Sequence, residues 1–190
     1  GDHPGLPKVE DKTGNPLSPY AVTKLVNELY AGVYASVYGT EMIGLRYFNI
    51  FGPKQNPNGP YAAVIPLFAE ALLNNKAPVI NGDGSHSRDF TYIDNAVQAN
   101  LRALFTENKE AVNQVYNIAC GEQTTLNELF DILRTEAGSD MQPVHGPERA
   151  GDVQHSLADI SKAQRLLGYE AGVTVKEGLK QTFQWYRERG

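Results

Sequence analysis

A tyrosine and a lysine stand one helical turn apart in Ser18-Pro19-Tyr20-Ala21-Val22-Thr23-Lys24. On a helix, that spacing puts both side chains on one face. A phenol titrates near pH ~10 in water, and a neighbouring ammonium favours its charged form. A tyrosine tuned in this way can exchange a proton with a sugar hydroxyl at neutral pH. Tyr-x-x-x-Lys also arises by chance on helices, so the residues downstream decide its meaning.

Three further groups have types suited to chemistry. Asn49 ends an apolar, β-prone run and could hydrogen-bond a ligand oxygen; as a turn residue it would instead satisfy its own backbone. Gly82-Asp83-Gly84 is followed by Arg88. Glycines admit close backbone approach and a guanidinium can grip a phosphate in two places; the plain alternative is a β-turn with a surface Arg88–Asp89 ion pair. Arg149 and Asp152 share a polar loop. They offer a cation for phosphate and a carboxylate for sugar hydroxyls, or else a solvated charged surface. A diphosphate flanked by sugars would use such a set.

The elements that must position these groups follow from local signals. Ser18 is a helix N-cap with Pro19 at the first helical position, and the helix runs to about Tyr38, stopped by Gly39. Leu25, Leu29, Val33 and Val37 form its apolar stripe, with Tyr30, Tyr34 and Tyr38 as a second, packing line. Residues 41–50 read as one buried strand, which after a helix suggests a parallel α/β sheet with ligands beyond the carboxyl ends of its strands. A loop at 51–60 and a helix at 61–75 follow, then short strands at 79–80 and 87–93. Asp94 is placed to cap a helix over 95–106. A strand at 115–119 precedes a helix to about Ala137, opened by the capping box Thr125-Leu126-Asn127-Glu128. A short strand at 142–145, a loop at 147–154 and a short helix from Asp159 to Gly168 lead to a second capping box, Thr174 to Glu177. That box opens the last helix, which runs nearly to Arg189.

Composition bounds the rest. The chain has 190 residues, 41% hydrophobic and 21% charged, with a net charge of -5. These values fit a globular protein with a sizeable core and give no support to nucleic acid as a partner. Cys120 is the single cysteine, so no internal disulfide or cysteine zinc cluster forms, and the four histidines show no metal-ligand spacing. No apolar run reaches membrane-spanning length and no signal peptide is evident, so the expected location is the cytoplasm.

Taken in order, these segments resemble a known family. Tyr20-Ala21-Val22-Thr23-Lys24 and Leu45-Arg46-Tyr47-Phe48-Asn49-Ile50-Phe51-Gly52-Pro53 are similar to the extended short-chain dehydrogenase/reductase superfamily. The segments 58–66, 80–90 and 151–160 resemble its UDP-N-acetylglucosamine 4-epimerases. The resemblance implies transient oxidation at carbon 4 of a UDP-hexose or UDP-N-acetylhexosamine with NAD as cofactor. It implies Tyr20 and Lys24 as the catalytic pair, both also at NAD with Tyr47 and Phe48. Asn49, Val64, Asn81, Arg88, Arg149 and Asp152 would surround the UDP-sugar. UDP-glucose 4-epimerases and nucleotide-sugar 4,6-dehydratases are the alternatives.

The implied fold is α/β: the C-terminal part of a Rossmann-type parallel-sheet domain at 1–60, and a smaller α/β substrate-binding region over most of 61–190, some segments of which may return to the first domain. The family's Gly-x-x-Gly-x-x-Gly turn and Ser/Thr-rich strand have no counterpart here. The 190 residues therefore read as a C-terminal portion that would not turn over alone, or as a nucleotide-sugar binding module. The family-type homodimer is an expectation for the longer protein.

Overall fold

A computed structural model describes residues 1–58, 63–148 and 153–189. The first helix, α1 (Pro19–Tyr38), forms as its caps dictate. Ser18 Oγ accepts the Ala21 N–H at 3.1 Å, and Gly39 closes the other end at φ 65°, returning its N–H to Ala35. Next come β1 (Ile43–Tyr47), β2 (Ile50–Phe51), α2 (Val64–Leu73), β3 (Val79–Asn81), β4 (Ser87–Arg88) and β5 (Thr91–Tyr92). The chain continues through α3 (Ile93–Leu104), a short 3-10 turn, β6 (Gln114–Ile118), β7 (Thr124–Thr125), α4 (Leu126–Ala137), β8 (Val144–Gly146), α5 (Ser161–Leu167) and α6 (Val175–Arg189).

The strands associate in pairs. β1 lies parallel to β6, β2 to β5 and β3 to β8, while β4 runs antiparallel to β7. This is a mixed α/β chain dominated by parallel pairing. Two long strands expected from the sequence are in fact divided. The run 41–50 breaks at Asn49, whose φ of 32° turns the backbone out of the β region, so Tyr47 ends in one sheet and Ile50 begins in another. The run 87–93 is likewise divided, with β4 and β5 in separate sheets. Nor is β1 buried: Ile43 to Arg46 are half-covered and Tyr47 is exposed. Phe51, expected in a loop, is buried in β2.

The helix signals hold more closely. Both capping boxes close, with Glu128 N–H on Thr125 Oγ1 at 3.1 Å and Glu177 N–H on Thr174 Oγ1 at 3.2 Å. Asp94, however, lies inside the first turn of α3 rather than capping it; Tyr92 holds the N-cap position, with no side-chain cap. Asp159 also sits one residue before the N-cap of α5, though its Oδ1 does accept the Ser161 N–H at 2.8 Å.

Two apolar cores result. One is built from α2, α4 and α6 around Phe51, Phe68, Phe90, Leu129, Leu179 and Phe183. The other joins α3, β6 and α5 through Ala99, Tyr116, Ile118, Ala163 and Tyr169, with Ile43 and Leu45 of β1 packed against it. α1 belongs to neither: none of its residues is buried. Among the described residues, no helix is long and apolar enough to cross a membrane.

Candidate functional site

Tyr20 and Lys24 meet as their spacing requires. The Lys24 ammonium sits 5.1 Å from the centroid of the Tyr20 ring, within cation–π range. Tyr20 lies in the first turn of α1, where its carbonyl also accepts the Thr23 hydroxyl at 2.7 Å. Both residues line a cavity of about 710 Å³ between α1 and β1, with Glu28, Arg46 and Tyr47 also on its wall.

Because α1 buries nothing, a polar tie holds it over this cavity. Arg46 on β1 forks onto Glu28 of α1, Nε to Oε1 and Nη2 to Oε2, both at 2.7 Å. Its Nη1 reaches the Glu10 carbonyl at 2.8 Å. Glu10 Oε1 in turn accepts the Asn117 N–H of β6 at 3.0 Å, and Asn117 Nδ2 holds the Lys8 carbonyl at 2.9 Å. The Glu28 carboxylate raises the Arg46 guanidinium above its ordinary value, more than burial lowers it. Bidentate, charge-assisted pairs of this kind fix orientation as well as distance. Glu28 and Arg46 are supports of the Tyr20 helix that the sequence reading missed.

Tyr47 and Phe48 continue from β1. The Tyr47 hydroxyl bonds Asn100 Oδ1 of α3 at 2.9 Å, so its tip is anchored on the α3 side of the strand. Phe48 is tied through its backbone: its N–H reaches the Ile118 carbonyl at 3.0 Å, and its carbonyl accepts the Thr91 hydroxyl at 2.6 Å. Asn49 then uses its side chain as a turn residue does. Its Nδ2 donates to the Asp89 carbonyl at 3.1 Å. Thus the three residues 47–49 lead from the Tyr20 cavity to the segment carrying Arg88.

Asn81 is exposed at the end of β3, opposite Gly146 of β8. Arg88 is half-buried in β4, where its Nη1 reaches the Ser87 carbonyl at 2.9 Å and the Gln154 carbonyl at 3.2 Å. Val64 opens α2 and packs partly against the first core. Arg149 and Asp152 lie outside the described residues. The chain before them is nonetheless held by the Asn81–Gly146 pairing, and the chain after them by Ser87, whose N–H reaches the Gln154 carbonyl at 3.0 Å.

Two sequence readings near Arg88 need correction. The Gly82-Asp83-Gly84 turn does not leave open backbone at Gly84: a Cβ there would lie 2.1 Å from Asn127 Oδ1. Its glycines serve φ values of 71° and 79° and close packing on α4. Asp89 is not a surface partner for Arg88 either. It is 0% exposed, and its carboxylate accepts the N–H groups of Cys120 at 2.9 Å and of Gly121 and Ala158 at 3.1 Å. Burial pushes this carboxyl up to about 6, against the lowering pull of those N–H groups. Burial likewise pushes the neighbouring Cys120 thiol up to about 12, which keeps it protonated at neutral pH. The signal for Asp89 was a carboxylate set directly before the β-prone Phe90-Thr91-Tyr92-Ile93.

Residues 1–119 match the model of the NAD dependent epimerase/dehydratase family. The chain belongs to this family. It is 40% identical over 182 residues to a putative UDP-glucose 4-epimerase of Methanocaldococcus jannaschii, covering 96% of this chain and 57% of that one. A solved UDP-N-acetylglucosamine 4-epimerase of Methanobrevibacter ruminantium, in complex with UDP-N-acetylmuramic acid, superposes with a TM-score of 0.92 at 40% identity. That match covers 100% of this chain and 60% of that one. The UDP-glucose 4-epimerase of Thermotoga maritima with UDP-glucose gives 0.91 at 40% identity, covering 96% and 58%. The epimerase/dehydratase chain therefore spans under two thirds of the length of these relatives.

Proposed function

We propose that this chain forms the proton-transfer and UDP-sugar-binding part of an NAD-dependent 4-epimerase that interconverts UDP-N-acetylglucosamine and UDP-N-acetylgalactosamine. The observation that carries this reading is the Lys24 ammonium held 5.1 Å over the Tyr20 ring beside a cavity of about 710 Å³. Family membership and the named relatives support it.

In this reading Tyr20 takes the proton from the hydroxyl on carbon 4 and later returns it, while Lys24 supplies positive charge beside the phenol. Tyr20, Lys24, Tyr47 and Phe48 would hold NAD, which when bound would supply reversible hydride acceptance from carbon 4. The residues fit such a group: a donor pair faces an open cavity whose wall Tyr47 completes. Arg88 and Arg149 neutralise the diphosphate, Asp152 binds ribose hydroxyls, and Asn49, Val64 and Asn81 complete the site.

UDP-glucose is the second reading, favoured because two of the relatives carry that substrate in their names. The test is to incubate the protein as its gene encodes it with NAD and each UDP-sugar, then resolve gluco and galacto epimers by NMR. Galacto product from the acetylated sugar is expected, and Tyr20→Phe should lower its rate about 10²- to 10⁴-fold. Faster turnover of UDP-glucose transfers the assignment to the plain hexose. UDP binding with no epimer from either sugar identifies a binding module and overturns the enzymatic reading.

A further inference from the structure

Lys24 has two possible partners on its own helix. Tyr20 stands four residues before it and Glu28 four residues after it, and both positions are within side-chain reach on a helix surface. The Lys24 ammonium lies over the Tyr20 ring, 5.1 Å from its centroid. It makes no ion pair among the described residues. The acid that would ordinarily draw it is occupied. Both Glu28 carboxylate oxygens are taken by Arg46, Nε on Oε1 and Nη2 on Oε2, at 2.7 Å each.

The competition matters because these side chains share one wall. Tyr20, Lys24 and Glu28 line the cavity between α1 and β1, and among the described residues the other titratable side chains on it are those of Arg46 and Tyr47. Glu10, on the segment beside Arg46, turns its carboxylate to the Asn117 N–H of β6 at 3.0 Å. A carboxylate freed at Glu28 would act on the pair twice. It would draw the ammonium along the helix, away from the phenol, and it would set a negative charge near the place where phenolate must form. Arg46 removes both effects. A bidentate guanidinium pair outcompetes an i,i+4 lysine pair, above all with the lysine on the N-terminal side, the weaker order. Its charge also cancels that of the carboxylate, which leaves Lys24 as the uncompensated cation on the wall. The arginine is itself held by a third contact, from Nη1 to the Glu10 carbonyl at 2.8 Å. A neutral donor at position 46 could tie β1 to Glu28 but could not cancel its charge.

We propose that Arg46 is a positioning residue for the proton-transfer pair: by occupying Glu28 it keeps the Lys24 ammonium for Tyr20. This rests on the epimerase reading above.

The experiment follows kcat on the preferred UDP-sugar against pH, for the protein as its gene encodes it and for Arg46→Gln, Glu28→Gln and the double variant carrying both. The kcat profile reports groups that titrate in the substrate complex. Arg46→Gln should move the rising limb about one pH unit higher, the displacement that one nearby charge produces. Glu28→Gln should move it lower, since Arg46 is then uncompensated. The double variant should return to the wild-type limb, although it lacks the charged fork. That return separates charge from tethering, because a merely structural tie is lost in all three variants. Lower kcat at every pH with an unmoved limb identifies such a tie and overturns the proposal. A displaced limb that persists in the double variant also overturns it, because Glu28 is then not the cause. A second readout needs no turnover. The Tyr20 Cζ resonance, assigned by its loss in Tyr20→Phe and titrated by carbon NMR, should show the same pattern of displacement and return. Wild-type protein that forms no epimer fails the epimerase reading, and the Tyr20 titration then decides the proposal alone. Should Arg46→Gln not fold, Glu28→Gln decides: a limb at lower pH supports the proposal and an unmoved limb overturns it.

Discussion

α1 and α6 are both amphipathic helices, yet they are held by different physics. α6 has 15 residues and buries Val175, Leu179, Thr182 and Phe183 in the first core. α1 has 20 residues and buries none, leaving Leu29, Val33 and Val37 more than half exposed. Its position depends on Glu28 and Arg46. One region is fixed by apolar contact, which is non-directional and forgiving. The other is fixed by a bidentate ion pair, which specifies angle and distance but contributes little gross stability. The helix that carries Tyr20 and Lys24 is on the directional tie.

The strongest way to break this comparison is to cut into the apolar side. Leu179→Ala removes a fully buried side chain and should lower unfolding free energy by about 3 kcal/mol in urea titration. A second test uses pH. The Asp89 carboxyl is raised from 3.8 to about 6. The folded form therefore binds its proton more tightly than the unfolded form. The stabilisation this gives is full below about pH 4 and is lost as pH rises through about 6. Stability of the wild type relative to Asp89→Asn should fall across that window by on the order of 3 kcal/mol, a flat difference would show that the N–H groups balance burial, and a rise would show that they outweigh it.

Glu28→Gln sharpens the polar side of the comparison. It leaves the half-buried Arg46 without its charged partner and should cost about 1–2 kcal/mol. Its signature is local: faster amide exchange across α1, with α4 and α6 unchanged. Asn49→Ala should cost about 1 kcal/mol, from a left-handed φ and a lost bond to the Asp89 carbonyl. Asn49→Gly should recover the backbone part alone, as thermal unfolding can measure. Leu29→Ala should change stability by less than about 0.5 kcal/mol, because that side chain is already 60% exposed. A larger loss would show that α1 is packed after all.

The sequence carried the local half of this structure well. Ser18, Pro19, Gly39, Thr125 with Glu128, and Thr174 with Glu177 act within a few residues of themselves, and each did what its type dictates. The Tyr20–Lys24 meeting is local in the same sense. What the sequence hid is non-local. Whether 41–50 is one strand or two depends on Asn49 meeting Asp89, and whether Asp89 is surface or core depends on Cys120, Gly121 and Ala158. An apolar stripe such as Leu25-Leu29-Val33-Val37 states that a face wants cover, but not whether the described chain supplies it.

The tie between Glu10 and Asn117 has a kinetic side. It spans 107 residues, and the β1–β6 pairing beside it joins Ile43 to Gln114. Contacts between such distant points require large loops to close before they return any free energy, and chains rich in them fold slowly. Arg46 can fork onto Glu28 early, since the two are 18 residues apart, but the Glu10 side of the clamp must wait for β6 to dock. The refolding molecule should therefore acquire its helices well before α1 is fastened, so the Tyr20 face is the last part to reach its working register.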